Sequence, residues 1–189
     1  MGETQTKLLD LGEAFMRRRG YDGFSYADIS REAGIRKASI HYHFPTKSDL
    51  ALAVLKRYGK RLVGEFDTIS RTSRNGGQAL LKVIDLYRPT EGSGDALCLC
   101  VAMGSDTHAI NHELRELLDQ SNKDVMSAIE AMLAIGRRDR SISVSGDPAM
   151  EAKAILAQLH GAQLLARTAR DPQTFDQAVL TLTARISRH

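Results

Sequence analysis

The sequence predicts an all-α protein, with a small N-terminal three-helix unit followed by a larger helical unit, about nine helices altogether. Three observations carry this. Apolar residues recur at helical spacing along most of the 189 residues. Helix formers are abundant, with only 4 prolines and no tryptophan. The run FSYADISREAGIRKASIHYHFPTKSDL, Phe24 to Leu50, encodes two short helices around a tight turn, a sharp stop and a third helix start, the pattern of a helix-turn-helix.

The elements follow in order. Thr4 to Arg19 is a helix with Leu8, Leu11 and Phe15 on one face, ended by Gly20. Arg17, Arg18 and Arg19 in its last turn favour the helix dipole. Ser25 caps the next helix with Asp28 three residues on, and Ile29 and Ala33 give it an apolar face. Gly34 ends it in the left-handed conformation. Lys37 to Phe44 forms the second helix of the motif, with Ile40 inward and polar and aromatic side chains outward. Pro45 stops it. Thr46 and Asp49 then cap a long helix striped by Leu50, Val54, Leu55, Leu62 and Phe66.

Ser70 to Gly77 reads as a loop and Ala79 to Tyr87 as a short helix. Pro89 to Asp95 is a second loop, and the apolar Ala96 to Met103 a buried helix. His112 to Arg138 is a long amphipathic helix. Ser141 to Asp147 is a loop. Pro148 opens a helix running to about Ala169, and Gln173 to Ser187 forms the last. The expected division is residues 1–48 for the helix-turn-helix domain, a connecting helix over about 46–69, and 70–189 for the helical remainder.

The net charge of +3 is unevenly spread. Residues 1–60 hold 11 Lys+Arg against 7 Asp+Glu, and the rest hold 15 against 16. The basic excess coincides with the helix-turn-helix, where phosphate attraction requires it. No apolar run approaches the roughly 18 residues of a membrane span. The N-terminus lacks a basic-then-apolar leader, and two cysteines are too few for a disulfide scaffold, so a cytoplasmic location is expected.

Gly20-Tyr21-Asp22-Gly23, Ser25, Asp28-Ile29, Ala33-Gly34-Ile35, Lys37, Ser39-Ile40, Tyr42-His43-Phe44, Lys47 and Leu50 together resemble the N-terminal domain of TetR-family transcriptional repressors. The resemblance covers about the first third of the chain. Ala38 stands where glycine is common, and His41 where the first aromatic usually stands. The resemblance implies a repressor that binds a palindromic double-stranded DNA operator as a homodimer and leaves it when a small-molecule effector binds the helical domain, with no cofactor.

Side-chain chemistry assigns Ser25, Arg36, Lys37, Ser39, His41, Tyr42, His43 and Lys47 to DNA. Tyr42, Ser25 and Lys47 suit phosphates; Lys37 and Ser39 suit base edges or phosphates, and changes at Lys37 or His41 should alter sequence preference. The expected effector pocket draws on Tyr87, Cys98, Met103, Met126, Met132 and Gln163. The expected dimer interface uses two stripes: Met150, Ala154, Ala157, Gly161, Leu164 and Leu165, then Phe175, Ala178, Val179, Leu182 and Ile186.

Three other readings stand beside this one. Cys98 and Cys100 offer a thiol-based redox or electrophile switch, although no neighbouring base lowers their pKa. A helical protein-binding adaptor would share the stripes but has no use for a basic recognition helix. An enzyme lacks a nucleophile elbow, a phosphate loop or a metal signature. His108 and His112 sit four apart, but with nothing nearby to complete a site no metal is expected.

Overall fold

The computed structural model describes residues 2–89, 96–104, 110–143 and 146–187. Ten helices occur among them: α1 (Glu3–Arg19), α2 (Tyr26–Ala33), α3 (Lys37–His43), α4 (Lys47–Thr72), α5 (Gly76–Tyr87), α6 (Leu99–Gly104), α7 (His112–Arg138), α8 (Pro148–Ala169), α9 (Gln173–Ala178) and α10 (Leu180–Thr183). The chain falls into two compact units. The first combines residues 1–60 with 95–121, and the second combines 61–94 with 122–189. These bounds differ from a simple cut after the helix-turn-helix, because a segment from mid-chain joins the first unit.

In the first unit α1 packs against both α2 and α6. Its buried face is Leu8, Leu9, Gly12, Glu13 and Met16, while Leu11 and Phe15 are half-buried. The stripe is turned from the one its spacing suggests because α6, from far along the chain, covers part of it. Arg17 Nε donates to the Leu97 carbonyl at 2.7 Å, and the Leu97 N–H donates to the Arg17 carbonyl at 3.1 Å. This reciprocal pair ties the end of α1 to the residues leading into α6. The segment expected as one helix from Ala96 has no regular structure over 96–98 and is helical only from Leu99.

The second unit is built on α5, α8, α9 and α10, with the later part of α7. Gly76 and Gly77, expected in a loop, are the first turn of α5. A Cβ on Gly76 would sit 2.2 Å from the Gly136 backbone nitrogen of α7, so two backbones meet where only glycine fits. The free N–H groups of that first turn are satisfied from outside the helix. Asp139 Oδ2 accepts from Gly76 at 2.9 Å, Ser141 Oγ from Gly77 at 2.7 Å, and Asn75 Oδ1 from Gln78 at 2.8 Å.

The C-terminus departs from expectation. The helix expected over Gln173–Ser187 breaks at Val179 into α9 and α10 and ends at Thr183. Ile186 then forms an antiparallel bridge with Ile142, with hydrogen bonds from Ser143 N to Arg185 O and from Ser187 N to Ser141 O, both 2.9 Å. Long-range pairing of the 141–143 segment wins over local helix propensity there.

Candidate nucleic-acid interface

The motif is held by caps at each junction. Asp28 Oδ2 accepts from the Ser25 N–H at 2.9 Å and from its hydroxyl at 2.7 Å. These bonds hold the Asp28 carboxyl below its ordinary range. Gly34 takes the left-handed conformation, φ 70° and ψ 27°, that closes α2. Lys7 Nζ reaches the Ala33 carbonyl at 2.9 Å and places a cation at the negative end of α2. Thr46 and Asp49 form a reciprocal cap on α4: Thr46 N and Oγ1 donate to Asp49 Oδ2 at 2.8 and 2.7 Å, and Asp49 N donates to Thr46 Oγ1 at 3.1 Å.

Helix α3 buries one residue, Ile40, and Phe44 follows it into the core. The rest of its surface faces outward: Arg36, Lys37, Ala38, Ser39, His41 and Tyr42 are exposed, Tyr42 by 84 %, and His43 is half-exposed. The helix is aimed by Tyr26 of α2, whose hydroxyl lies 2.9 Å from the Phe44 carbonyl and also reaches that of Thr46. The His41 ring packs edge-on against Tyr26, with centroids 4.9 Å apart. His41 Nδ1 lies 3.0 Å from the Pro45 carbonyl. A carbonyl only accepts, so Nδ1 carries a proton there, and Nε2 is the ring nitrogen left outside this contact.

The DNA set therefore divides. Arg36, Lys37, Ser39, His41, Tyr42 and His43 share the exposed end of the motif. Ser25 and Lys47 have structural contacts of their own. The Ser25 hydroxyl proton is spent on Asp28. Lys47 Nζ donates to the Phe24 carbonyl at 2.7 Å and sits over the rings of Tyr21 and Phe24, 4.7 and 4.5 Å from their centroids. Tyr26 was missed by the sequence reading. Its place on the inward face of α2 is legible, but its hydroxyl's partners lie 18 and 20 residues away, beyond any local pattern.

The expected pocket residues fall in two groups. Cys98 and Met103 are buried in the first unit. Tyr87, Met132 and Gln163 are buried in the second and Met126 is half-buried there; Gln163 Nε2 donates to the Tyr87 carbonyl at 2.8 Å, and the His160 ring lies 5.8 Å from that of Tyr87.

The two dimer stripes also separate. Met150, Ala154, Ala157, Leu164 and Leu165 are exposed on α8, and Gly161 has open space above it. Phe175, Val179, Leu182 and Ile186 are buried inside the single chain, where α9 packs against α8. The second stripe is thus core, and an interface formed by α9 and α10 would need their other faces. Leu180, 64 % exposed, lies on one of those.

Among the described residues no three His, Cys, Asp or Glu side chains gather as a metal site, and no helix is long and apolar enough to cross a membrane. His112 pairs with Glu116 at 3.3 Å; His108 lies outside the described residues.

Comparison with known proteins agrees with this geometry. Residues 8–54, α1 to the start of α4, match the family model described as bacterial regulatory proteins, tetR family. The chain is 22% identical over 186 residues to the HTH-type transcriptional repressor NemR of Escherichia coli K12, covering 94% of this chain and 90% of that one. It is 26% identical over 175 residues to the HTH-type transcriptional regulator LmrA of Bacillus subtilis 168, covering 90% and 89%. A TetR-family regulator from Agrobacterium tumefaciens superposes with a TM-score of 0.92 at 26% identity, over 97% of each chain. A helix-turn-helix, an all-helical body and these relatives lead to one conclusion: residues 8–54 form a tetR-family DNA-binding domain, and over its whole length the chain is similar to TetR-family transcriptional regulators.

Proposed function

We propose that this regulator is a cytoplasmic homodimeric repressor that places α3 of each protomer in successive major grooves of a palindromic operator, and that a small molecule bound by the helical body releases it. The observation that carries the reading is α3 itself. A seven-residue helix is fixed from behind by Ile40 and Tyr26, while Arg36, Lys37, Ser39, His41 and Tyr42 are all left exposed. Arg36 and Lys37 supply charge, and His41 and Tyr42 supply hydrogen bonds and a ring for a thymine methyl.

Dimerisation rests on α8. Met150, Leu164 and Leu165 are 62 %, 47 % and 57 % exposed on the face where Ala154, Ala157 and Gly161 allow close approach. A partner covering this stripe removes apolar surface from water and joins two weak half-site readers into one tight one. The effector reading is supported by the buried Tyr87–Gln163 pair between α5 and α8, which offers polar anchors in an apolar surround.

Fluorescence anisotropy with labelled DNA flanking the protein's own gene tests the whole reading. Sequence-specific, salt-dependent binding by a dimer is expected. Binding that is equally tight to unrelated DNA, or absent at low salt, overturns it.

A further inference from the structure

Cys98 and Cys100 take no part in the reading above, and their surroundings are unusual. Neither is in a disulfide, and both are buried in the first unit, one just before α6 and one in its first turn. The two thiols lie within hydrogen-bonding reach of each other. Tyr58 of α4 donates its hydroxyl to Cys98 Sγ at 3.3 Å, and Cys100 Sγ lies 3.5 Å from Ser121 Oγ of α7. A polar chain, Tyr58–Cys98–Cys100–Ser121, thus crosses an otherwise apolar layer. These are the sequence's 2 cysteines, and the fold brings both to one point.

We infer that this pair is a dithiol site for a trivalent arsenical, and that filling it loosens α1 of the DNA-binding motif. An arsenic(III) centre bearing one organic group takes two sulfurs. In the reaction with R–As(OH)2, two As–O and two S–H bonds break, two As–S bonds form, and the hydroxyls leave as two waters. No electron is transferred. The hydrogen bond with Cys98, and then burial, push the Cys100 thiol well above its usual pKa, which protects it from ordinary alkylation. A chelating centre is less affected, since the second sulfur is presented at high effective concentration after the first bond forms. Access requires α6 to lift from its packing, an opening that a helix of six residues makes as one unit. The consequence for DNA runs through Leu97, next to Cys98, whose two backbone bonds hold Arg17 at the end of α1. This second part rests on the regulator reading; the binding itself does not.

The test is intact-mass spectrometry of the folded protein with phenylarsine oxide. One phenylarsenic adduct per chain is expected, resistant to excess 2-mercaptoethanol, removed by 2,3-dimercaptopropanol, and lost in both Cys98→Ala and Cys100→Ala. A native chain left unmodified while the urea-unfolded chain is labelled overturns the site, whatever the variants do. So does an adduct that persists in either single variant. Anisotropy with operator DNA reads the coupling: release in step with adduct formation is expected, and an arsenic-loaded protein that binds DNA unchanged overturns it. A chain that takes arsenic but never bound specific DNA counts against the regulator reading and leaves the site standing.

Discussion

The Tyr26 hydroxyl donates to the carbonyl of Phe44, 2.9 Å away, and so fixes the residue that ends the recognition helix. That bond joins the two helices of the motif across 18 residues of sequence. Burial raises the Tyr26 phenol above its ordinary pKa of 10.0, with Asp49 adding to the effect. Because the folded value is the higher, the phenol's contribution is present below about pH 10 and is lost as pH rises beyond it.

Tyr26→Phe should therefore cost about 1–2 kcal/mol at neutral pH, from loss of the one O–H that the Phe44 and Thr46 carbonyls share. It should also flatten the loss of stability above about pH 10. Chemical denaturation at three pH values checks both, and an unchanged alkaline slope would sink the pH argument.

Lys47→Ala should lower stability by about 2 kcal/mol, because the ammonium serves the Phe24 carbonyl and two aromatic faces. Calorimetry separates this from a phosphate role. A residue that only meets DNA leaves Tm unchanged when removed.

Tyr42→Ala should behave in the opposite way. With the side chain 84 % exposed, Tm should stay within about a degree, while operator affinity falls by about tenfold. Lys37→Ala should reduce the salt slope of binding by about one phosphate's worth. Anisotropy titrations over a salt series read both.

Leu164→Glu should yield a folded monomer, since the residue is exposed on α8 and the substitution places charge in the proposed interface. Phe175→Ala should cost about 3–5 kcal/mol, because its ring is fully buried within the chain. Sedimentation with circular dichroism distinguishes them; a dimeric Leu164→Glu protein would move the interface elsewhere.

Gly76→Ala should be among the most damaging single-methyl additions. The new carbon would meet the Gly136 backbone, which has no side chain to turn aside. A loss beyond about 3 kcal/mol in urea denaturation is expected, whereas Gly64→Ala, with nothing within 4 Å, should be neutral or slightly stabilising.

Local chemistry accounts for what the sequence made legible. Ser25 with Asp28, Gly34, Thr46 with Asp49 and Asp147 before Pro148 act over a few residues, and each marks its helix boundary correctly. The exposed face of α3 follows from Ile40 and Phe44 four apart. What stayed hidden depends on distant partners. Gly76 looks like a loop residue until Gly136 lies against it, and Ser141 looks like loop filler until it caps α5. Phe175, Val179 and Leu182 form an apolar stripe whether they face a second protomer or their own core. Periodicity carries no information on which, and the structure buries them in the chain. The contacts of Lys47 were hidden for a related reason, since a cation near a helix start suits DNA as well as it suits a carbonyl and two rings.

The first unit takes residues 95–121 from the middle of the chain. A reading head assembled this way is not a cassette. Grafting residues 1–60 onto a relative's body to make a hybrid regulator would give Arg17 a foreign residue in place of Leu97, and α1 an unmatched α6. Exchange of specificity between such proteins should succeed when α3 alone is traded, and fail when the swap is made at the visible end of the motif, because the seam of the molecule runs elsewhere.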